Sequence, residues 1–214
     1  MVMAELMVVP VSTSVLTSAD TWETIISSCV GTVHPEDVIC LTGEAAAIMQ
    51  NRYIRPEEMQ PGFLERFFCR LLPEDDPFSN LYVMASAMAA AGKWKTILWH
   101  IIGRLCALAG YEDVFFIHCP KADFSCAVTE ALPPYDKCII YRPFPVKKLC
   151  EEIVERVGAY GAVIVETREW KKVTILGTSR KVSARKAAHI LAKAPFSSGK
   201  QYIPMAIIRN YVQG

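Results

Sequence analysis

Part-way along this chain the hydrophobic period changes. From Leu81 to Ala109 apolar residues recur at helical spacing, with Gly92 as the natural break, because a helix running uninterrupted through that span is unusual in a globular domain. From Val114 onward the pattern becomes short β-branched and aromatic runs, VFFIH, KCIIY, GAVIVE and KVTILG, divided by Pro, Gly and charged turns. Helices over Val146 to Val157 and Ser183 to Ala194 accompany them. Both periods in one chain predict an α+β fold, a mixed β-sheet with helices. With no repeat, low-complexity segment or linker, the expectation is one domain over residues 1–214, helix-rich over 61–110 and strand-rich over 111–214.

The first third adds five elements. MVMAELMVVPVSTSV carries Glu5 and lacks a basic leader, so it reads as a first strand and not as a secretory signal. Trp22, Ile25, Ile26, Cys29 and Val30 fall on one helix face, with Ser18 or Asp20 as its cap. DVICL, Asp37 to Leu41, reads as a strand, and GEAAAIMQNRY after it suits either a short helix or a strand. Pro61 fits the first helical position of GFLERFFCRLL, which Pro73 ends.

Charge and cysteine content narrow the function classes. Lys and Arg number 23 against 22 Asp and Glu, so no net field draws the chain to nucleic acid or an acidic membrane. The apolar stretch from Trp94 to Gly110 is interrupted by Lys95, His100 and Arg104 and falls short of the roughly 20 residues that a bilayer needs, so a buried helix is expected. The 8 cysteines sit mostly inside apolar runs with no CxxC pair, which predicts reduced thiols in a cytoplasmic protein and no structural zinc. Neither a GxSxG elbow nor a GxGxxG turn is present.

Several residues carry candidate chemistry. Glu44 opens an apolar run at a strand end, where a carboxylate serves a metal or substrate amine, or is simply solvated. Arg52 closes the same segment and suits either bidentate anion contact or a surface turn. His118, Cys119, Asp123 and Cys126 include every side-chain type that zinc takes, but in no known ligand spacing; core cysteines beside a capping His fit better, leaving Asp123 as a metal candidate. Glu166 and Glu169 flank Arg168 in ETRE, either a pair of oxygen ligands or a charged hairpin turn. GTSRK and SSGKQ offer Gly and Lys to a phosphate, yet SSGKQ fails the phosphate-loop pattern, with Ala194 and Gln201 where Gly and a hydroxyl belong. Arg185, Lys186 and Lys193 form a basic helix face.

Three segments, in order, resemble the coenzyme F-420 γ-glutamyl ligase family, in particular its divergent branch of short bacterial proteins: EDVICLTGEAAAIMQNR, ALPPYDKCIIYRPFPVKKLCEEIVERVGAYGAVIVE, and VTILGTSRKVSARKAAHILAKAPFSSGKQYIPMAIIR. Together they span about half the chain. The resemblance implies interleaved subdomains, a homodimer, a small-molecule substrate, GTP and Mg²⁺ or Mn²⁺. It also implies amide formation between a phosphorylated carboxylate and the amino group of glutamate. On this reading Glu44, Asp123, Glu166 and Glu169 are metal or substrate acids, and Arg52 and Arg209 bind anions. Two departures stand out: Ala45 and Ala46 replace the family's basic partner beside Glu44, and ETRE replaces an Asp-rich turn. They support the alternative of a non-catalytic binding or regulatory protein on the same scaffold.

Overall fold

The computed structural model describes residues 6–74, 76–111, 114–119, 124–127, 134–135, 138–168, 172–192 and 203–212. In chain order these residues form β1 (Met7–Val11), α1 (Trp22–Ile25), β2 (Val38–Thr42), α2 (Gly43–Met49), β3 (Tyr53–Ile54), α3 (Phe63–Leu71), α4 (Leu81–Ala91) and α5 (Lys93–Leu108). They continue with α6 (Val114–His118), β4 (Phe124–Ala127), β5 (Ile139–Tyr141), α7 (Val146–Val157), β6 (Gly161–Arg168), β7 (Lys172–Thr178), α8 (Ala184–Leu191) and β8 (Met205–Arg209). The fold is α+β, with a mixed sheet. Two compact units make up the chain: Met1–Asn51 with Pro143–Gly214, and Arg52–Arg142.

The first unit is built on a five-stranded sheet of order β1-β8-β2-β6-β7. β2 and β6 run parallel, from Val38 opposite Gly161 to Thr42 opposite Val165, while β8 is antiparallel to both β1 and β2. The two-residue period of a strand sorts the side chains between two cores. Ile39, Leu41, Ile164 and Ile207 face Trp22, Ile25, Leu149, Cys150 and Ile153 of α1 and α7. Val38, Cys40, Val163, Val165 and Ile208 face Ala187 and Leu191 of α8. A strand covered on both faces needs apolar residues at every position, which is why VICL reads as a continuous run. Each buried aliphatic side chain contributes about 1.5–3 kcal/mol over an exposed one. Burial also pushes the Cys150 thiol up to about 12 and raises that of Cys40, so both behave as inert core atoms.

The second unit has a small sheet of order β3-β5-β4 and the helices α3 to α6. Its core gathers Phe78, Val83, Met84, Met88, Ile97, Phe115, Ile139 and Tyr141. Asn80 caps α4 by accepting from the backbone N–H of Tyr82 and Val83, and Gly92, at φ 94°, turns the chain into α5. Among the described residues, no helix is long and apolar enough to cross a membrane.

Several local expectations are corrected. VFFIH is helix α6, because Phe115 packs against Gly103 of α5 and His118 stacks on Trp99 at 3.5 Å, contacts that come from a helical neighbour. α1 is capped by Thr21, in a reciprocal pair with Thr24; Asp20 instead accepts from the N–H and hydroxyl of Thr17. The helix from Trp22 also closes in a π turn, Ile26–Val30, with Gly31 N–H bonded to Ile26 O at 2.9 Å. α3 begins at Phe63 behind Gly62 rather than at Pro61. The Ala-rich run after Gly43 is helix α2. α5 buries only Thr96, Ile97 and His100, so it is a half-covered amphipathic helix and not the fully buried one expected. The first strand and DVICL form as expected, as β1 and β2, and both join the larger sheet.

Candidate functional site at the carboxyl edge of the sheet

β1, β2 and β6 point the same way, as the register of β8 and of the parallel pair requires. Their carboxyl ends therefore lie along one edge of the sheet, where parallel strands commonly present ligand sites. The last paired residues of β2 and β6 are Thr42 and Val165. Immediately beyond them come Gly43 and Glu44 on one strand and Glu166 on the other. Two acids from distant parts of the sequence thus arrive at the same edge.

Local chemistry fixes this edge. Thr42 donates its N–H to Pro204 O at 2.8 Å, tying the end of β2 to the segment that enters β8. Its hydroxyl accepts from Ala45 N–H at 3.4 Å and so starts α2 at Gly43, which holds Glu44 in the first helical turn. Thr42 carries the turn and was not singled out from sequence; the signal for it was a Thr before Gly-Glu at the head of an Ala run. Glu44 is partly exposed, whereas Glu166 is 6% exposed on a strand still paired to β7 through Thr174. Ala45 and Ala46 are both 0% exposed and pack into the core with Leu41 and Ile164.

A hard divalent cation takes oxygen donors. Mg²⁺ is commonly held by one or two carboxylates, with water and substrate phosphates completing its shell, and Glu44 and Glu166 are oxygen donors of that kind. Among the described residues, no group of three or more His, Cys, Asp or Glu side chains is placed to hold one ion. Asp123 and Glu169 lie outside the described residues, as does the SSGKQ segment.

Of the two arginines, Arg209 lies at the other end of the sheet. Arg209 ends β8 beside the start of β2, since Ile208 pairs with Val38. The length of a five-residue strand, about 16 Å, separates that end from the acids. Its guanidinium donates to Asp37, which is buried, and to Thr32 O at 2.9 Å. Arg52 belongs to the second unit, where its Nε donates to Arg142 O at 2.8 Å and its guanidinium lies 6.0 Å from the centre of the Tyr141 ring. Burial lowers the pKa of Arg52 and the nearby Tyr141 opposes this. In these positions both arginines join chain segments to one another.

Arg180 of GTSRK gives its N–H to Glu151 at 2.8 Å, and with Pro145, Lys147 and Lys148 these residues line a shallow groove at the start of α7. A polar cluster missed from sequence lies in the second unit. Asp76 is buried, accepts from Phe78 N–H at 2.8 Å, and lies 3.3 Å from both His100 Nε2 and Arg104 Nη1. His100 approaches Asp76 without the alignment of a full hydrogen bond. Its pKa is lowered by burial first and by Arg104, against the opposing effect of Asp76. Its signals were an Asp-Pro cap followed by His and Arg one helical turn apart.

The chain matches no known protein-family model and no curated protein sequence. The functional case accordingly rests on the residues of the carboxyl edge and on the resemblance of the three segments.

Proposed function

We propose that this protein is a metal- and nucleotide-dependent ligase of the coenzyme F-420 γ-glutamyl ligase type, with its site at the carboxyl edge of β2 and β6. The observation that supports it most is the arrival of Glu44 and Glu166 at one strand edge. In such a reaction a substrate carboxylate takes the terminal phosphoryl group of GTP, and an amino acid's nitrogen then displaces phosphate to leave an amide and a proton. A divalent cation held by Glu44 and Glu166 would neutralise the phosphate charge. Glu166 would offer its carboxyl group from a buried position on a paired strand, and Glu44 from a partly exposed one in the first turn of α2.

Calorimetric titration with Mn²⁺ and GTP, and with ATP in place of GTP, tests this reading. The expected outcome is metal-dependent nucleotide binding that weakens at least tenfold in Glu166→Gln and Glu44→Gln. Binding unchanged in both variants would remove the edge from the site.

A second reading has its own observation. Ala45 and Ala46, where the family carries a basic partner, are core residues with no exposed surface. A scaffold that binds without catalysing follows from that loss. Nucleotide that fails to bind at millimolar concentration in the presence of Mn²⁺ would favour this reading over the ligase.

A further inference from the structure

The helix that the sequence marked for burial instead presents a continuous apolar seam to solvent. Trp94, Leu98, Ile101, Leu105 and Leu108 are all exposed on α5, from 50% at Ile101 to 87% at Leu108. Their spacing alternates four and three, the seam that lets one helix pack along another. α3 lies alongside, since Glu65 pairs with Lys93 at 3.0 Å and Leu72 shares a shallow groove with Ile101, Arg104, Leu105 and Leu108. Phe63, Phe67 and Leu71 of α3 are exposed as well.

We propose that this face is the contact between two copies of the chain, with α5 packed antiparallel to its counterpart about a two-fold axis through Ile101. In that register Trp94 faces Leu108, Leu98 faces Leu105 and Ile101 faces itself. A two-fold contact must be self-complementary, and this seam is.

Charge selects the same occupant and the same direction. The first turn of α5 holds Lys93 and Lys95 with no acid, while its last turn holds no base. Within one protomer both lysines stand at the wrong end of the helix dipole. In an antiparallel pair they lie beside the partner's carbonyl end, where a cation is favoured. Of the seam's flanking cations, Lys93 is paired with Glu65 and Arg104 with Asp76 inside the protomer, so Lys95 is the one that the partner's carbonyl end would serve. Covering the eight exposed side chains removes on the order of 1,000 Å² per protomer from water, taking 150–250 Å² for each aromatic. About 800 Å² per partner suffices for a stable complex. The resemblance implies a homodimer; the face and the direction of packing stand on the exposed seam alone.

Sedimentation velocity of the full chain over a concentration series tests it. The expected species has twice the 23.9 kDa protomer mass, and Leu98→Glu with Leu105→Glu, both at exposed positions, returns it to one protomer with an unchanged circular dichroism spectrum. Cysteine crosslinking reads the direction: Ile101→Cys should form an intermolecular disulfide and Trp94→Cys should not. A wild-type chain that is monomeric at tens of micromolar, a dimer untouched by the double variant, or crosslinking through position 94 in place of 101 would overturn the proposal. So would a monomer that instead sediments with vesicles containing phosphatidylserine.

Discussion

The acid at position 37 and the base at position 209 form a tie that single-residue reading could not place. Asp37 accepts from His34 N–H and Arg209 and is almost wholly buried. From sequence, Arg209 was an anion binder by resemblance, because nothing local names a partner so far away in the chain as Asp37. Glu44 and Glu166 were legible as strand-end acids, since each follows a run of strand-forming residues. Their arrival at the same edge depends on the parallel register and could not be read from either segment. His100 gives a test at this scale. Burial holds its pKa below the ordinary value, so just under about pH 6.5 the unfolded chain binds a proton that the folded chain does not. Its stabilising contribution is whole above that pH and falls as the pH drops toward the folded value, by up to about 1.4 kcal/mol per pH unit. Urea unfolding at a series of pH values should show a shallower acid limb for His100→Gln; identical slopes in both proteins would exclude His100 as the cause.

Elements were read well where local signals and packing agree. Helix α7 spans the expected Val146–Val157 and ends at Gly158, φ 74°, and Ser183 caps α8 by accepting from Lys186 N–H. VFFIH misled because a short apolar run is the same pattern for a buried strand and a helix face, and only the neighbour decides. The β6 and β7 hairpin rests on a close approach that the sequence shows only as glycine. A Cβ at Gly161 would collide with the Val182 side chain and come within 2.9 Å of Ser179 Oγ, which accepts from Ala162 N–H. Gly161→Ala should cost about 1–3 kcal/mol by overpacking, measured by chemical denaturation. Adding Val182→Ala should return part of that loss, and a double variant no better than the single would assign the cost to the backbone instead.

At the scale of the whole molecule, the chain forms two units with separate cores, the first drawn from two stretches of sequence that flank the second. Every residue of the cores on either face of the larger sheet comes from the first unit, and every residue of the third core comes from the second. Composition shows no boundary at 51 or 143, because both units use the same apolar residues and the crossings are short. Replacing residues 53–141 with a Gly-Ser link should leave a chain that keeps the larger sheet and unfolds cooperatively, as read by circular dichroism and by the buried Trp22. Loss of cooperativity would show that the first unit's core does not suffice.

The joint at the crossings bears on the order of assembly. Tyr141 donates its N–H to Arg52 O at 3.0 Å and Arg52 reaches Arg142 O, so the beginning and end of the insert are hydrogen-bonded to each other. β2 and β6 can pair only after the chain between them has closed on itself, which for an unstructured stretch of that length is slow and entropically opposed. Once β3 and β5 have zipped, the span between the two parallel strands shrinks from the whole insert to the two flanking stretches that hold α2 and α7. A folded insert then stands in for a long open loop, which lowers the entropic cost of pairing β2 with β6.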